Sequence, residues 1–210
     1  SDVHDSTDVF GTPVWSASWQ TLNTASATNN SHHCIVGQDN IIYFCDARWV
    51  GSIKEASGST FVPGTASTYV YNNQALDLPS YEIAEWLEEL FENLLIGSAT
   101  TNRIYPWNRT GDSFSLPLEC PETRIKKMKN SGNEVYILAG VKGNIYKTQG
   151  TYVDLVRKVP EHLINNSATL TASPVTWGGI ASMNGSILFG LAGQTSANDG
   201  VWRLYPDGRL

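Results

Sequence analysis

The chain has 210 residues, of which 41% are hydrophobic, so it fits one domain, or at most two small ones, and an intrinsically disordered chain is excluded. Its formal net charge is −6 and its strongest basic run is Arg124–Lys129, which argues against a nucleic-acid ligand. No stretch approaches the roughly 18 to 20 apolar residues that cross a bilayer, so we expect no membrane insertion. A charged fraction of only 16%, with seven Trp and nine Tyr, favours β-structure rich in turns.

The N-terminal segment, residues 1–31, precedes the regular part of the sequence. Within it, residues 11–22 (GTPVWSASWQTL) have the pattern of an outer strand, with Trp15 and Trp19 as its large side chains. The last of the repeats described next lacks an outer strand. We therefore expect residues 11–22 to complete that last repeat and close a ring.

Residues 32–210 contain four copies of one pattern, in which a turn Asn, an apolar strand, a second turn and an aromatic strand follow one another. The turn residues are spaced by 53, 40 and 51 residues and the aromatic residues by 56, 41 and 56; these residues are Asn40, Asn93, Asn133 and Asn184, and Trp49, Tyr105, Tyr146 and Trp202. Such spacings fit a four-stranded propeller blade. We predict an all-β fold, a β-propeller with about four such repeats, as a closed four-bladed ring or as part of a larger propeller. The predicted repeats are residues 32–78, 79–121, 122–165 and 166–210.

The second strand of each repeat is almost continuously apolar, as in IIYFC, NLLIGS, EVYILAG and SILFGLAG. Strands that are covered on both faces have this character. Small residues in three of them, Gly97, Gly140 and Gly190, are expected to let neighbouring backbones approach. Outer strands are indicated in the second and third repeats by DSFSLPL and TYVDLVRKV.

Residues 79–95 (PSYEIAEWLEELFENLL) admit two interpretations. The apolar residues from Ile83 to Phe91 follow helical spacing, with Ser80 as a possible N-cap residue. The repeat alignment instead makes Glu82–Leu90 the first strand of the second repeat. We favour the strand, because the repeat is a longer-range constraint than local propensity.

Five runs carry a resemblance to a known family: ALDLPSYEIAEWLEELFENLLIGS, RIYPWNRTGDSFSLPLECPE, VYILAGVKGNIYKTQG, PVTWGGIASMNGSILFGLAG and GVWRLYPDGRL. Through them, from Trp19 to Leu210, the sequence resembles the β-propeller virion proteins of tailed bacteriophages. The resemblance implies a structural component of the virion, in the tail or its host-facing apparatus. Its implied partners are other virion proteins or copies of itself.

The repeated aromatics Trp49, Tyr105, Tyr146 and Trp202 are interpreted as packing groups of the repeat core. Trp107 lies between Pro106 and a polar turn, so we expect it to be exposed and, with Arg109, to be a candidate for surface contact.

Two groups of residues contain the residue types of a metal site or a catalytic site. The run His32–Cys34 contains metal-ligand residue types, but strand alternation sends His33 to the opposite face from its neighbours. The acidic cluster Glu82, Glu85, Glu88, Glu89 and Glu92 contains the residue type that glycosidases pair, yet its pattern is typical of a solvated face. The sequence therefore predicts no catalytic residue, cofactor or metal.

The leading hypothesis is a non-enzymatic β-propeller scaffold that makes protein–protein contacts in the tail or host-facing apparatus of a phage particle. An alternative is a glycan-binding propeller that recognises a host cell surface. The third is a propeller glycoside hydrolase, which would need carboxylates that converge on a central channel.

Overall fold

The structure is a computed structural model that describes residues 2–3, 20–21, 33–55, 69–159, 175–192 and 200–210. The chain divides into two compact units, Ser1–Ala84 and Glu85–Leu210. All regular elements of the described residues are β-strands, which confirms the predicted all-β class. The described ranges contain no helix that is long and apolar enough to cross a membrane.

The first unit contains a two-stranded pair and a four-stranded antiparallel sheet. Its strands are β1 (Asp2–Val3), β2 (Gln20–Thr21), β3 (Cys34–Val36), β4 (Ile42–Asp46), β5 (Trp49–Glu55) and β6 (Tyr69–Asp77). β1 pairs with β2, and the larger sheet has the order β3-β4-β5-β6. The outer strand β6 is an element that the sequence patterns did not identify. Of the predicted closing strand at residues 11–22, only β2 is described, and the remainder lies outside the described residues.

Three antiparallel sheets follow in chain order. The second sheet consists of β7 (Ala84–Leu90), β8 (Asn93–Ser98), β9 (Arg103–Asn108), β10 (Ser113–Phe114) and β11 (Leu118–Glu119). The third consists of β12 (Ile125–Ser131), β13 (Glu134–Ala139), β14 (Asn144–Thr148) and β15 (Val153–Lys158), and the last of β16 (Thr176–Met183), β17 (Ser186–Ala192) and β18 (Gly200–Leu204). In the four larger sheets, sequential strands are hydrogen-bonded neighbours, except that β11 pairs with β9 and not with β10. The strands of each of these sheets lie within one predicted repeat.

The segment with two interpretations forms a strand, so the strand prediction for Glu82–Leu90 is confirmed and the helix is wrong. β7 pairs with β8. Every side chain of β7 is buried or half-buried, so neither face of the strand is exposed to solvent. Apolar residues can therefore stand at any position of this strand, and their helical spacing does not indicate a helix.

The third sheet lies between two apolar cores, as its apolar second strand predicts. In β13, Val135, Ile137 and Ala139 belong to a core shared with the second sheet. The alternate residues Tyr136 and Leu138 belong to a core shared with the last sheet. Strand alternation thus sends an unbroken apolar run into two different cores, which confirms that this strand is covered on both faces.

The outer strand of the second sheet is interrupted opposite a proline. β10 and β11 both pair with β9, and between them the Ser115 N–H donates to the Pro106 carbonyl over 2.9 Å. The carbonyl and the nitrogen of a strand residue face the same neighbour, so the N–H that Pro106 lacks would have faced this outer strand. Proline is tolerated here because the ladder is already broken.

Tight turns and a small residue allow the sheets to form and to pack. Asn184 and Gly185, at φ 50° and 74°, make the two-residue hairpin between β16 and β17 that the Asn-Gly pair predicts. At Gly97 in β8, a Cβ atom would lie 2.6 Å from Ile125 Cγ2 of the third sheet. Glycine is therefore required at this position for the two sheets to approach.

Candidate functional site

Three of the four repeated aromatics occupy the same place in their sheets. Each lies on the third strand opposite a large apolar residue of the second strand; the pairs are Tyr105 with Ile96, Tyr146 with Ile137, and Trp202 with Phe189. Tyr105 and Tyr146 are buried, and Trp202 is half-buried against the core of the last sheet. Trp49 differs, because it is half-buried at the start of β5 and pairs with Asp46 beside a two-residue turn.

Trp107 is buried, contrary to the expectation that it is exposed. Only 9% of it is accessible, and its indole N–H donates to Asp112 Oδ1 over 3.2 Å. It also pairs with Phe114 of β10, where the outer strand folds back along β9. A polar turn follows Trp107, and the local sequence therefore suggested exposure. That turn, however, reverses the chain so that β10 and Asp112 lie against Trp107.

The side chain of Arg109 binds neighbouring parts of its own sheet and is not a free surface group. Its guanidinium forms an ion pair with the Glu89 carboxylate, and both side chains are largely buried. It also donates to the carbonyls of Glu92 and Phe91, over 3.2 and 3.3 Å. These two carbonyls belong to the turn between β7 and β8, where Phe91 has a φ of 55°. Arg109 therefore holds the β7–β8 hairpin in a conformation that is rare for a bulky residue.

The acidic cluster of β7 is not a solvated face, so this interpretation is wrong. Glu82, Glu85 and Glu88 are 1%, 8% and 7% exposed, and Glu92 is the exposed member. A buried carboxylate must be paired or hydrogen-bonded. Glu85, Glu88 and Glu89 meet this requirement with cations from other strands and turns.

A ladder of polar contacts joins β7 to the N-terminal part of the third sheet; we call it the β7–β12 ladder. Arg124 donates to both oxygens of Glu85, over 2.9 and 3.1 Å, and this hydrogen bond raises the pKa of Arg124. The Lys129 ammonium lies 2.9 Å from Glu88 Oε2. Two contacts to backbone carbonyls complete the ladder, from the Trp86 indole N–H to Met128 and from the Asn130 amide to Glu89, both at 2.7 Å. The ladder fixes which residues of the two strands lie side by side.

A second buried carboxylate, Glu122, lies beside the same sheet. Its Oε1 accepts from the Tyr146 hydroxyl over 2.9 Å and from the Asn144 amide over 2.5 Å, and its Oε2 accepts from the Lys142 N–H over 3.2 Å. Burial, and then the bond to Glu122, raises the pKa of Tyr146. Burial also raises the pKa of the neighbouring Cys120 thiol to about 11. The raised pKa values keep the Tyr146 hydroxyl and the Cys120 thiol in their neutral, protonated forms.

The metal-like run at His32–Cys34 is only partly described. His32 lies outside the described residues, His33 is half-buried and Cys34 is exposed. In the part of the chain that the structure describes, no group of three or more His, Cys, Asp or Glu side chains could hold a metal ion.

Sequence reasoning identified the charged residues of the ladder but not their role. Glu85 and Glu88 find their partners 39 and 41 residues further along the chain, so no local pattern distinguishes a solvated face from an inter-sheet pair. The available signal is the basic run in the adjacent first strand, which lies at the matching position of the next repeat.

Comparison of the sequence with protein-family models finds no match, and comparison with curated proteins finds none either.

Proposed function

We propose that this chain is a non-enzymatic β-propeller scaffold of a tailed-phage particle, which makes protein–protein contacts in the tail or the host-facing apparatus. The observation that supports a propeller scaffold is the serial packing of the last three sheets, in which the third sheet shares one apolar core with the second and another with the last. The first strands also lie close together, since β12 approaches both β16 and, through the ladder, β7. Blades that pack face to face, with their first strands innermost, have this arrangement.

The state of the carboxylates supports a scaffold over a hydrolase. A glycosidase needs two carboxyl groups that face substrate and have different proton affinities. Glu85, Glu88 and Glu89 are instead engaged with Arg124, Lys129 and Arg109. These ion pairs connect β7 to other parts of the chain.

The proposal is tested on particles. Phage particles from a strain that encodes the chain are purified on a density gradient, washed in high salt and probed with an antibody raised against the purified protein. We expect the chain to migrate with the infectious particles and to remain after the wash. Detection only in the particle-free fractions would contradict a virion role.

A glycan array separates the scaffold from a glycan-binding propeller. Trp107→Ala is a poor probe because Trp107 is buried, whereas Tyr152 is 66% exposed and its removal leaves the cores intact. We expect the purified chain to bind no glycan. Glycan binding that Tyr152→Ala abolishes would instead support recognition of a host surface.

A further inference from the structure

We propose that the start of β12 is a binding site for a small oxyanion, a phosphate or a carboxylate, held by Lys126, Lys127 and Arg124. The site is independent of the scaffold role, since a propeller of any function could contain it. The ion would enter beside the β7–β12 ladder, which supplies one of the three cations.

The local charge balance is the first reason. Arg124, Lys126 and Lys127 all interact electrostatically with a single carboxylate, that of Glu85. Arg124 occupies both oxygens of that carboxylate. Among the described residues neither lysine has an ion-pair partner, so two positive charges remain uncompensated on a chain whose net charge is −6.

The second reason is that both lysines are partly buried. Burial lowers the pKa of Lys126 and of Lys127, and the neighbouring cations Arg124 and Lys127 lower that of Lys126 further. The Lys127 ammonium lies 4.1 Å from the centre of the Trp86 ring, which limits its access to water. Partly desolvated cations bind an oxyanion more strongly than fully hydrated ones do.

The backbone provides the third reason. β12 has a bulge at which Lys126 is inserted between Ile125 and Lys127, so the alternation of faces is broken there. Arg124 has a φ of 66°, in the left-handed region that non-glycine residues rarely occupy. In a regular strand the successive side chains of Lys126 and Lys127 would point to opposite faces, and the bulge interrupts that alternation at this point.

The test is calorimetric titration of the purified chain at constant ionic strength. Inorganic phosphate and a tetraglutamate peptide are the two probes, and sodium chloride is the reference. We expect saturable binding of at least one probe, and the stronger of the two identifies the source of the oxyanion. Lys126→Met should weaken binding by about tenfold, because a charge-assisted contact is lost. The matched control Lys54→Met, which removes the same charge elsewhere, should change binding by less than about twofold.

A second variant and a second measurement distinguish a loss of binding from a loss of folding. Lys126→Gln retains a polar side chain, and far-ultraviolet circular dichroism verifies its fold. NMR spectra of the lysine side chains should show probe-dependent shifts at Lys126 and Lys127 before other lysines. The absence of saturable binding, equal binding by the Lys126 and Lys54 variants, or shifts confined to other lysines would each overturn the proposal.

Discussion

The third sheet, β12–β15, is held differently on its two faces. Toward the second sheet, an apolar core lies beside the β7–β12 ladder and the Glu122 cluster. Toward the last sheet, the side chains form an apolar core, within which Trp177 and Phe189 of the last sheet make an edge-to-face pair with ring centres 5.8 Å apart. We call these the polar junction and the apolar junction. The difference suggests that burial supplies the stability of both, while the charged pairs determine which residues meet at the polar one.

The largest effect is expected from the apolar junction. Phe189 is 1% exposed, and Phe189→Ala should lower the free energy of unfolding by about 3 to 5 kcal/mol, because it removes contacts and leaves a cavity. Urea unfolding followed by tryptophan fluorescence measures the change. Val201→Ala on β18, where the side chain is 78% exposed, is the matched control and should cost less than about 0.5 kcal/mol. Equal losses in the two variants would contradict a packed apolar junction.

The polar junction is expected to respond to alkaline pH. The pKa of Cys120 is raised from 9.0 to about 11, so between these values the folded chain keeps a proton that the unfolded chain has lost. The contribution is complete below pH 9 and disappears as pH rises towards 11, by roughly 2 to 3 kcal/mol. Tyr146, whose pKa is also raised by burial, adds a further loss that begins above its ordinary pKa of 10.

Urea unfolding across this pH range, in the parent chain and in Cys120→Ala, isolates the effect of the thiol. The variant should lack the decrease in stability that the thiol contributes between pH 9 and 11. Phe189→Ala, at the apolar junction, should retain the parent slope. Parallel curves for the parent and Cys120→Ala would show that the thiol is not desolvated.

The smallest change in the free energy of unfolding is expected from the hairpin turns, β7–β8 in the second sheet and β16–β17 in the last sheet. At the polar junction the β7–β8 turn places Phe91 at a φ of 55° with 53% of the residue exposed, whereas the β16–β17 turn uses Asn184 and Gly185. Phe91→Gly should raise the free energy of unfolding by about 1 kcal/mol, because glycine adopts positive φ without strain. Thermal unfolding measures the gain. Tyr152→Gly, at an exposed position without positive φ, should instead be destabilising.

Most of the strands could be predicted from the sequence, because a strand that packs between two cores has a continuous run of apolar residues. The apolar run of β13 and the Asn-Gly turn at Asn184 are readable without any knowledge of distant residues. The sequence of β6 is a weaker indication of a strand, since its second half, from Asn72 to Asp77, is mostly polar. Because the polar run from Asn72 to Gln74 interrupts its apolar residues, this strand is identified only through its pairing with β5.

The site was less predictable, because its chemistry depends on partners in another sheet. Glu88 has the same sequence pattern whether it faces water or Lys129, and the partner lies 41 residues away. The sequence indicated the turn after Trp107, but burial of Trp107 depends on how the returning strand pairs with β9 and on the bond from its indole to Asp112. Burial of polar and aromatic groups at the junctions is therefore a property of the packed sheets and not of either strand alone.

The most direct test of the polar junction is a double-mutant cycle between Glu88 and Lys129, whose charged atoms lie 2.9 Å apart and whose carboxylate is largely buried. The parent chain, Glu88→Gln, Lys129→Met and the double variant are unfolded in urea at low and high salt. We predict a favourable coupling energy of about 1 kcal/mol that decreases with salt, because removing one partner leaves the other unpaired. Strictly additive losses would contradict the claim that these charges connect the two sheets.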